Sequence, residues 1–407
     1  MKNPAYTKKH WFIFVAVALM MGSSLGLLTN GNGVFYLPMA RSLEVPLGSI
    51  SLHTTFKSFA TAFTALTIPT IVDRFGIKKT IALGVAFGVI GTYFLSIAKS
   101  VPLIYFLGVI RGIGFAYYSL VPMQMILSRW FDKHNGLVMG LASGASGLFG
   151  AISAPLLTLA IEHFGWRNAF IIKSAFMLIL VLPILLLPFT LNPEDEGLLP
   201  YGFEKDHEQA VLQKAEISDF QFTNQIFIAL MLVSFLSTLV MYINSHFPVH
   251  GETVGLRPEI ASLMLSGAMV GNVSWKAVYG ALSDRIGVVQ ASLIMYAISL
   301  VSLVFMILSQ NPAVLIFGSF LFGGIFAVNG VGLPLLSNTF FGPVVGAKVY
   351  SRVNFISSFG GALGVGLAGY IYDYSGSYIL VFTIAISFIL INIFLLLFAQ
   401  RKHNKSL

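Results

Sequence analysis

The sequence predicts an all-α membrane protein of twelve transmembrane helices in two pseudo-symmetric six-helix bundles. Three observations predict it: an apolar composition, apolar runs of membrane-spanning length, and a tetrapeptide that returns at a fixed offset. Of 407 residues, 56% are hydrophobic and 10% charged, against roughly 45–50% and about 25% in soluble domains. Runs such as 11–28, 81–98, 170–187, 293–308 and 379–399 are each long enough to cross about 30 Å of hydrocarbon as a helix. Lipid offers no partner for free backbone groups, so helices follow, and the runs lack the alternation of barrel strands.

The spans are expected at 11–38, 48–72, 79–98, 102–128, 136–161, 167–190, 223–247, 258–282, 288–309, 312–338, 346–372 and 376–400. Lys2, Lys8, Lys9 and His10 precede an apolar run without a small-residue cleavage site and a soluble domain behind it, so that run reads as the first span. The polar stretch 192–222 mixes Glu194, Asp195, Glu196, Lys205, Asp206, Glu208, Lys214 and Glu216. It separates an N-terminal half, 1–191, from a C-terminal half, 223–407, and is too short for an enzyme domain. About 15 of the 24 Lys and Arg lie in the termini and the loops after even-numbered spans, and about 4 in the opposite loops. That bias places both termini and the linker in the cytoplasm of a cell membrane, and it accounts for the net charge of +8 without a nucleic-acid site.

The repeat ties the halves together. Asp73-Arg74-Phe75-Gly76 and Asp284-Arg285-Ile286-Gly287 are 284 − 73 = 211 residues apart, and Gly112 with Gly323 and Gly165 with Gly376 keep that offset. Repeated halves around a midplane site are an architecture of secondary transporters.

Asp73-Arg74-Phe75-Gly76-Ile77-Lys78-Lys79 resembles the basic loop after the second helix of the major facilitator superfamily, with Pro69 where that pattern has glycine; Gly280 fills the place in the second copy. The resemblance covers essentially the whole chain and implies the major facilitator fold. It also implies a conformational latch at Asp73, Arg74, Gly76, Asp284, Arg285 and Gly287. The glycines of the fifth span (Gly140, Gly144, Gly147, Gly150, before Ala154-Pro155) and of the eleventh (Gly360, Gly361, Gly364, Gly366, Gly369) read as helix-packing surfaces. The segment from Asn192-Pro193-Glu194-Asp195-Glu196 to Gly202 resembles the one after the sixth helix in bacterial relatives of monocarboxylate porters and oxalate/formate antiporters. Those relatives place a substrate-binding cation eight residues before the second loop acid, where this chain has Lys276. The animal porters' proton-relay lysine and acid are matched by Asn30 and Asn272, and the antiporters' eleventh-helix lysine by Val353 beside Arg352. Exchange, or another coupling mode without that proton relay, is therefore expected.

Lys276 lies eight residues before Asp284, about 12 Å along a helix and near the midplane. Asn272, Lys276 and Tyr279 share one face by helical spacing, which favours an anionic solute in a common cavity. The alternative for Lys276 is snorkelling or a structural bond to another helix. Arg111 reads as a substrate or gate residue or as a structural one, since its charge must find carbonyls, water or an anion. Lys57 and Lys173 are expected to snorkel. Tyr117, Tyr118, Tyr242, Trp275, Asn30, Asn329 and Asn354 are further cavity candidates, the alternative being interhelical hydrogen bonds. His53 and His246 read as structural.

Span interiors hold almost no Asp or Glu, and with zero cysteines there is no thiolate chemistry. Protease, hydrolase, Walker and dinucleotide motifs are missing from suitable contexts, so no enzyme activity, metal or cofactor is expected. The leading expectation is alternating-access transport of a small organic anion, a monocarboxylate by the resemblance. Efflux of a lipophilic or cationic compound and a membrane sensor are the alternatives. The expected partners are the solute, a coupling ion or counter-substrate and membrane lipids, with the chain acting as a monomer. Reporters fused at the C-terminus and within 192–222 should both report cytoplasm; either one on the far side would exclude the twelve-span topology.

Overall fold

The computed structural model describes residues 7–133, 135–202 and 224–406. Most of the expected linker, with Lys205, Asp206, Glu208, Lys214 and Glu216, lies outside the described residues, as does Lys2.

Among the described residues, nine continuous helical stretches are long and apolar enough to cross a membrane, and with their kinks and the two less apolar helices counted separately twelve helices follow in chain order. They are α1 (Lys8–Leu43), α2 (47–75), α3 (Ile77–Leu95), α4 (Val101–Trp130), α5 (135–164) and α6 (166–186), then α7 (Gln225–Thr253), α8 (Pro258–Ile286), α9 (Val288–Leu308), α10 (Pro312–Gly342), α11 (343–375) and α12 (Tyr378–Ser406). α2 and α8 are the least apolar of the twelve; α8 carries Ser262, Ser266, Asn272, Ser274 and Lys276.

The repeat is visible in the backbone. Gly76 ends α2 at φ 80°, ψ 156°, and Gly287 ends α8 at φ 92°, ψ 156°, a region open to glycine and strained for other residues. Each turns the chain directly into the next helix. The same sequence offset thus carries the same turn.

Several helices are broken inside the membrane. α1 is regular to Met21, π-helical over Gly22–Thr29 and 3₁₀ over Asn30–Phe35, with Gly31 non-helical at φ −81°, ψ 15°. α10 contains a π segment at Val328–Gly332. Such breaks free backbone groups, which in lipid survive only where protein or a water-filled cavity receives them.

The described residues form two compact units. One takes those of Met1–Asn32 and Phe59–Lys214; the other takes Gly33–Ser58 with those of Ala215–Leu407. In the first, α1 meets α5 closely: a Cβ on Gly26 would lie 2.9 Å from Phe149 Cβ and 3.2 Å from the Ser146 carbonyl. By contrast a Cβ on Gly140 or Gly144 would meet nothing within 4 Å, so that end of the α5 glycine stripe is not a packing surface in this structure. In the second unit the stripe on α11 does pack. Gly364 faces the Leu239 carbonyl of α7, and a Cβ on Gly361 would come within 2.8 Å of the Tyr242 ring.

The start of the linker is built onto the first unit. Pro193–Glu196 forms a 3₁₀ turn closed by Gly197 at φ 69°. Glu196 pairs with Lys9 and accepts from the Thr190 amide at 2.6 Å. The Tyr201 amide donates to the Trp130 carbonyl at 2.8 Å, and Trp130 Nε1 donates to the Thr190 carbonyl at 3.1 Å. His10, fully buried, donates from Nε2 to the Leu199 carbonyl at 2.9 Å among the rings of Trp130, Phe131 and Tyr201.

Burial works against ionisation of Glu196, but its bonds from Lys9 and Thr190 outweigh that and hold the carboxyl below its ordinary value of 4.5. A depressed carboxyl contributes stability above the unfolded value and loses it as pH falls through the folded one. Docking of the linker start should therefore hold above pH 4.5 and weaken below it, and Glu196→Gln should loosen it at neutral pH. Hydrogen exchange at the Tyr201 amide reads this; unchanged protection in Glu196→Gln would contradict it.

Candidate substrate-binding site

In the second unit α8 and α10 approach closely at Gly271 and Gly323, and Trp275 seals the contact by donating from Nε1 to the Phe320 carbonyl at 3.0 Å. One residue on, the Lys276 side chain leaves α8 half-buried and lies against Gly330 in the π segment of α10. Gly330 is exposed, and a Cβ there would come within 2.7 Å of Lys276 Cε and 3.1 Å of Nζ. Glycine thus leaves the ammonium its room. Among the described residues Lys276 has no hydrogen-bond or ion-pair partner. Asn272, one turn earlier and 7% exposed, has its Oδ1 buried and unpartnered.

Other candidates are engaged in packing. The Tyr279 hydroxyl bonds the Ser292 hydroxyl at 2.8 Å and donates to the Val288 carbonyl at 3.1 Å, which turns it toward α9. Asn329 accepts from Thr238 at 2.9 Å and donates to the Ile325 carbonyl at 2.9 Å. Tyr242 is half-buried against α11, while Asn354 and Arg352 are exposed and Val353 is buried. The structure therefore brings Lys276 and Gly330 together, with Asn272 one turn earlier on α8, and turns Tyr279 toward α9.

The first unit holds a different cluster. Arg111, fully buried, donates from Nε to Thr92 at 3.1 Å and from one terminal nitrogen to the Leu28 carbonyl at 3.0 Å and Asn32 Oδ1 at 3.1 Å. Lys173, also fully buried, donates to the same Asn32 Oδ1 at 2.6 Å. Two cations from α4 and α6 thus converge on one amide oxygen of α1, at its break. This corrects the snorkelling expected of Lys173, and Lys57, 2% exposed, is likewise buried. Helical depth says how far a side chain lies along the membrane, not which face it leaves from. Asn32 is not among the sequence candidates, although the run Asn30-Gly31-Asn32-Gly33 is a sequence signal of a broken helix. Asn30 is half-buried at the start of the 3₁₀ turn. Tyr117 bonds Thr67 at 3.0 Å, and Tyr118 packs its ring on Gly88.

The loop residues Asp73, Arg74, Asp284 and Arg285 are exposed, and neither acid has an ion-pair partner among the described residues. No group of three or more metal-ligating side chains occurs among the described residues.

Two overlapping stretches, 11–274 and 226–407, match the profile described as Major Facilitator Superfamily. The chain belongs to that superfamily. It is a multi-pass membrane transporter of this class, and its relatives narrow the comparison. Monocarboxylate transporter 13 of Bos taurus is 24% identical over 386 residues, covering 93% of this chain and 87% of that one. Its Rattus norvegicus counterpart is 27% identical over 278 residues, covering 67% and 61%. A Bacillus subtilis (strain 168) protein, the uncharacterized MFS-type transporter YcxA, is 25% identical over 176 residues, 43% of each chain.

Solved major facilitator structures share the fold. The nucleoside transporter NupG aligns with a TM-score of 0.75 at 13% identity, covering 97% of this chain and 99% of that one. A bacterial homolog of the human lysosomal transporter Spinster aligns at 0.76 and 15%, covering 97% and 98%. At those identities the likeness concerns the fold alone.

Asn32→Leu removes the acceptor that Arg111 and Lys173 share and should lower stability by about 1–3 kcal/mol. Thermal unfolding in a single detergent measures it, and an unchanged midpoint would mean that the cluster does not hold α1.

Proposed function

We propose that the protein carries a small organic anion, a monocarboxylate in the first instance, by alternating access, with Lys276 binding the carboxylate. The observation that carries this reading is the Lys276 ammonium itself: deep in α8, beside exposed Gly330, with no partner among the described residues. A charge at that depth is expensive unless something anionic or wet receives it, and a carboxylate accepts a charge-assisted bond. Relatives named as monocarboxylate transporters support the same class.

On this reading Asn272 flanks the site as an amide partner, and Tyr279 supports α8 from behind. The transporter works as a monomer in the cell membrane, with halves 1–191 and 223–407, a linker at 192–222, and cytoplasmic termini. The loops at Asp73-Arg74 and Asp284-Arg285 are latches of another conformation, since their acids stand exposed here. Asn30 and Asn272 in place of a lysine and an acid favour exchange; carboxylate accumulation driven by an inward proton gradient alone would contradict that mode.

Lys276→Gln should weaken substrate affinity about ten- to hundredfold, the loss of one charge-assisted bond. Lys276→Arg should retain part of it, because the charge stays while the geometry changes. Yield in the membrane should stay normal. Equal affinity in Lys276→Gln and wild type, at equal yield, would refute the site.

A further inference from the structure

We propose that Asn329 is a positioning residue: it holds the π segment of α10 in place under Lys276 and ties that segment to α7 and α11. Its part in transport rests on Lys276 as the binding cation, whereas its hold on Lys276 does not.

The π segment, Val328–Gly332, meets α8 through its glycines. A Cβ on Gly330 would come within 2.7 Å of Lys276 Cε, and one on Gly332 within 3.0 Å of the Tyr279 hydroxyl. The Lys276 ammonium has no hydrogen-bond or ion-pair partner among the described residues. Its place is therefore defined by the backbone it lies against, and whatever fixes that backbone fixes the ammonium.

Asn329 is the one residue of the segment with a polar side chain. Its Oδ1 accepts from Thr238 Oγ1 of α7 at 2.9 Å, and its Nδ2 donates to the Ile325 carbonyl, four residues back in α10, at 2.9 Å. Thr238, 5% exposed, also bonds Ser357 of α11 through its hydroxyl. Because Thr238 gives its proton to Asn329, Ser357 donates to Thr238 Oγ1. The chain of bonds thus runs in one direction, from α11 through α7 to α10, and each of these protons has its acceptor. Removing one member would leave the next unpaired in a place with little water.

The frame behind this chain is close-packed. Gly360 and Gly364 of α11 lie against the Phe235 and Leu239 carbonyls of α7, which bracket Thr238 in sequence. A break in a helix needs such an anchor, since a π turn departs from the regular ladder and apolar contact alone does not fix its rotation. Both ends of the Asn329 amide are engaged in it, so the residue acts on the solute through Lys276 and not by direct contact.

The test reads Lys276 itself. In the purified full chain in nanodiscs, without solute, acetic anhydride labels each lysine and mass spectrometry gives the rate at each. Asn329→Leu and Thr238→Val should raise the rate at Lys276 about fivefold, the worth of one net hydrogen bond, and leave Lys78 and Lys402 as they were. Thr238→Ser, which keeps the hydroxyl, should keep the wild-type rate. Thr238→Val retains the side-chain shape and gives the same reading if Asn329→Leu does not fold. Carboxylate affinity is the second readout: Thr238→Val should weaken it in the wild-type background and add nothing in Lys276→Gln, as for residues that act through one another. An unchanged rate at Lys276 in the folded variants would overturn the positioning role, and so would additive losses of affinity. Because the labelling contains no solute, its outcome is separate from that of Lys276→Gln alone, which decides the substrate reading.

Discussion

A polar group inside the bilayer has no solvent to fall back on, and the arrangement of this protein follows from that constraint. The twelve helices answer it for the backbone. The breaks in α1 and α10 reopen the question locally, and each is found beside a cation. At the α1 break, Arg111 reaches the Leu28 carbonyl and meets Lys173 on Asn32. At the α10 break, Lys276 lies over Gly330. The first arrangement is closed by protein. At the second, Lys276 is half-buried and Gly330 exposed, which is why the proposed binding role falls there and not on Arg111.

The same constraint explains what the sequence revealed and what it hid. Helices were legible because apolar runs of the right length have one solution in lipid, and the paired loops at Gly76 and Gly287 were legible because a turn at positive φ fixes its residue. Helix faces were harder. Lys173 and Lys57 were expected to reach for the interface, yet both are buried, because sequence depth carries no information on which neighbour a helix presents. Tyr279 shares a face with Lys276 by spacing, but its hydroxyl bonds α9, three residues being enough rotation to meet a different helix. Nothing in the residue types signalled that two cations would share Asn32.

The linker start shows a further limit. A stretch rich in Glu, Asp, Pro and Gly reads as solvated, yet Glu196, Leu199 and Tyr201 are tied to Lys9, His10 and Trp130. The ties are backbone amides and carbonyls as much as side chains, which composition does not show. They join the start of α1 to the end of α4 through the linker start.

The central claim is that Lys276 binds the solute through the solute's negative charge. Counterflow into proteoliposomes compares a labelled short-chain monocarboxylate directly with its uncharged amide, which has nearly the same size and shape. The account predicts counterflow of the carboxylate and little or none of the amide. Equal counterflow of the two would contradict it, since a site that does not distinguish them does not use the charge of Lys276.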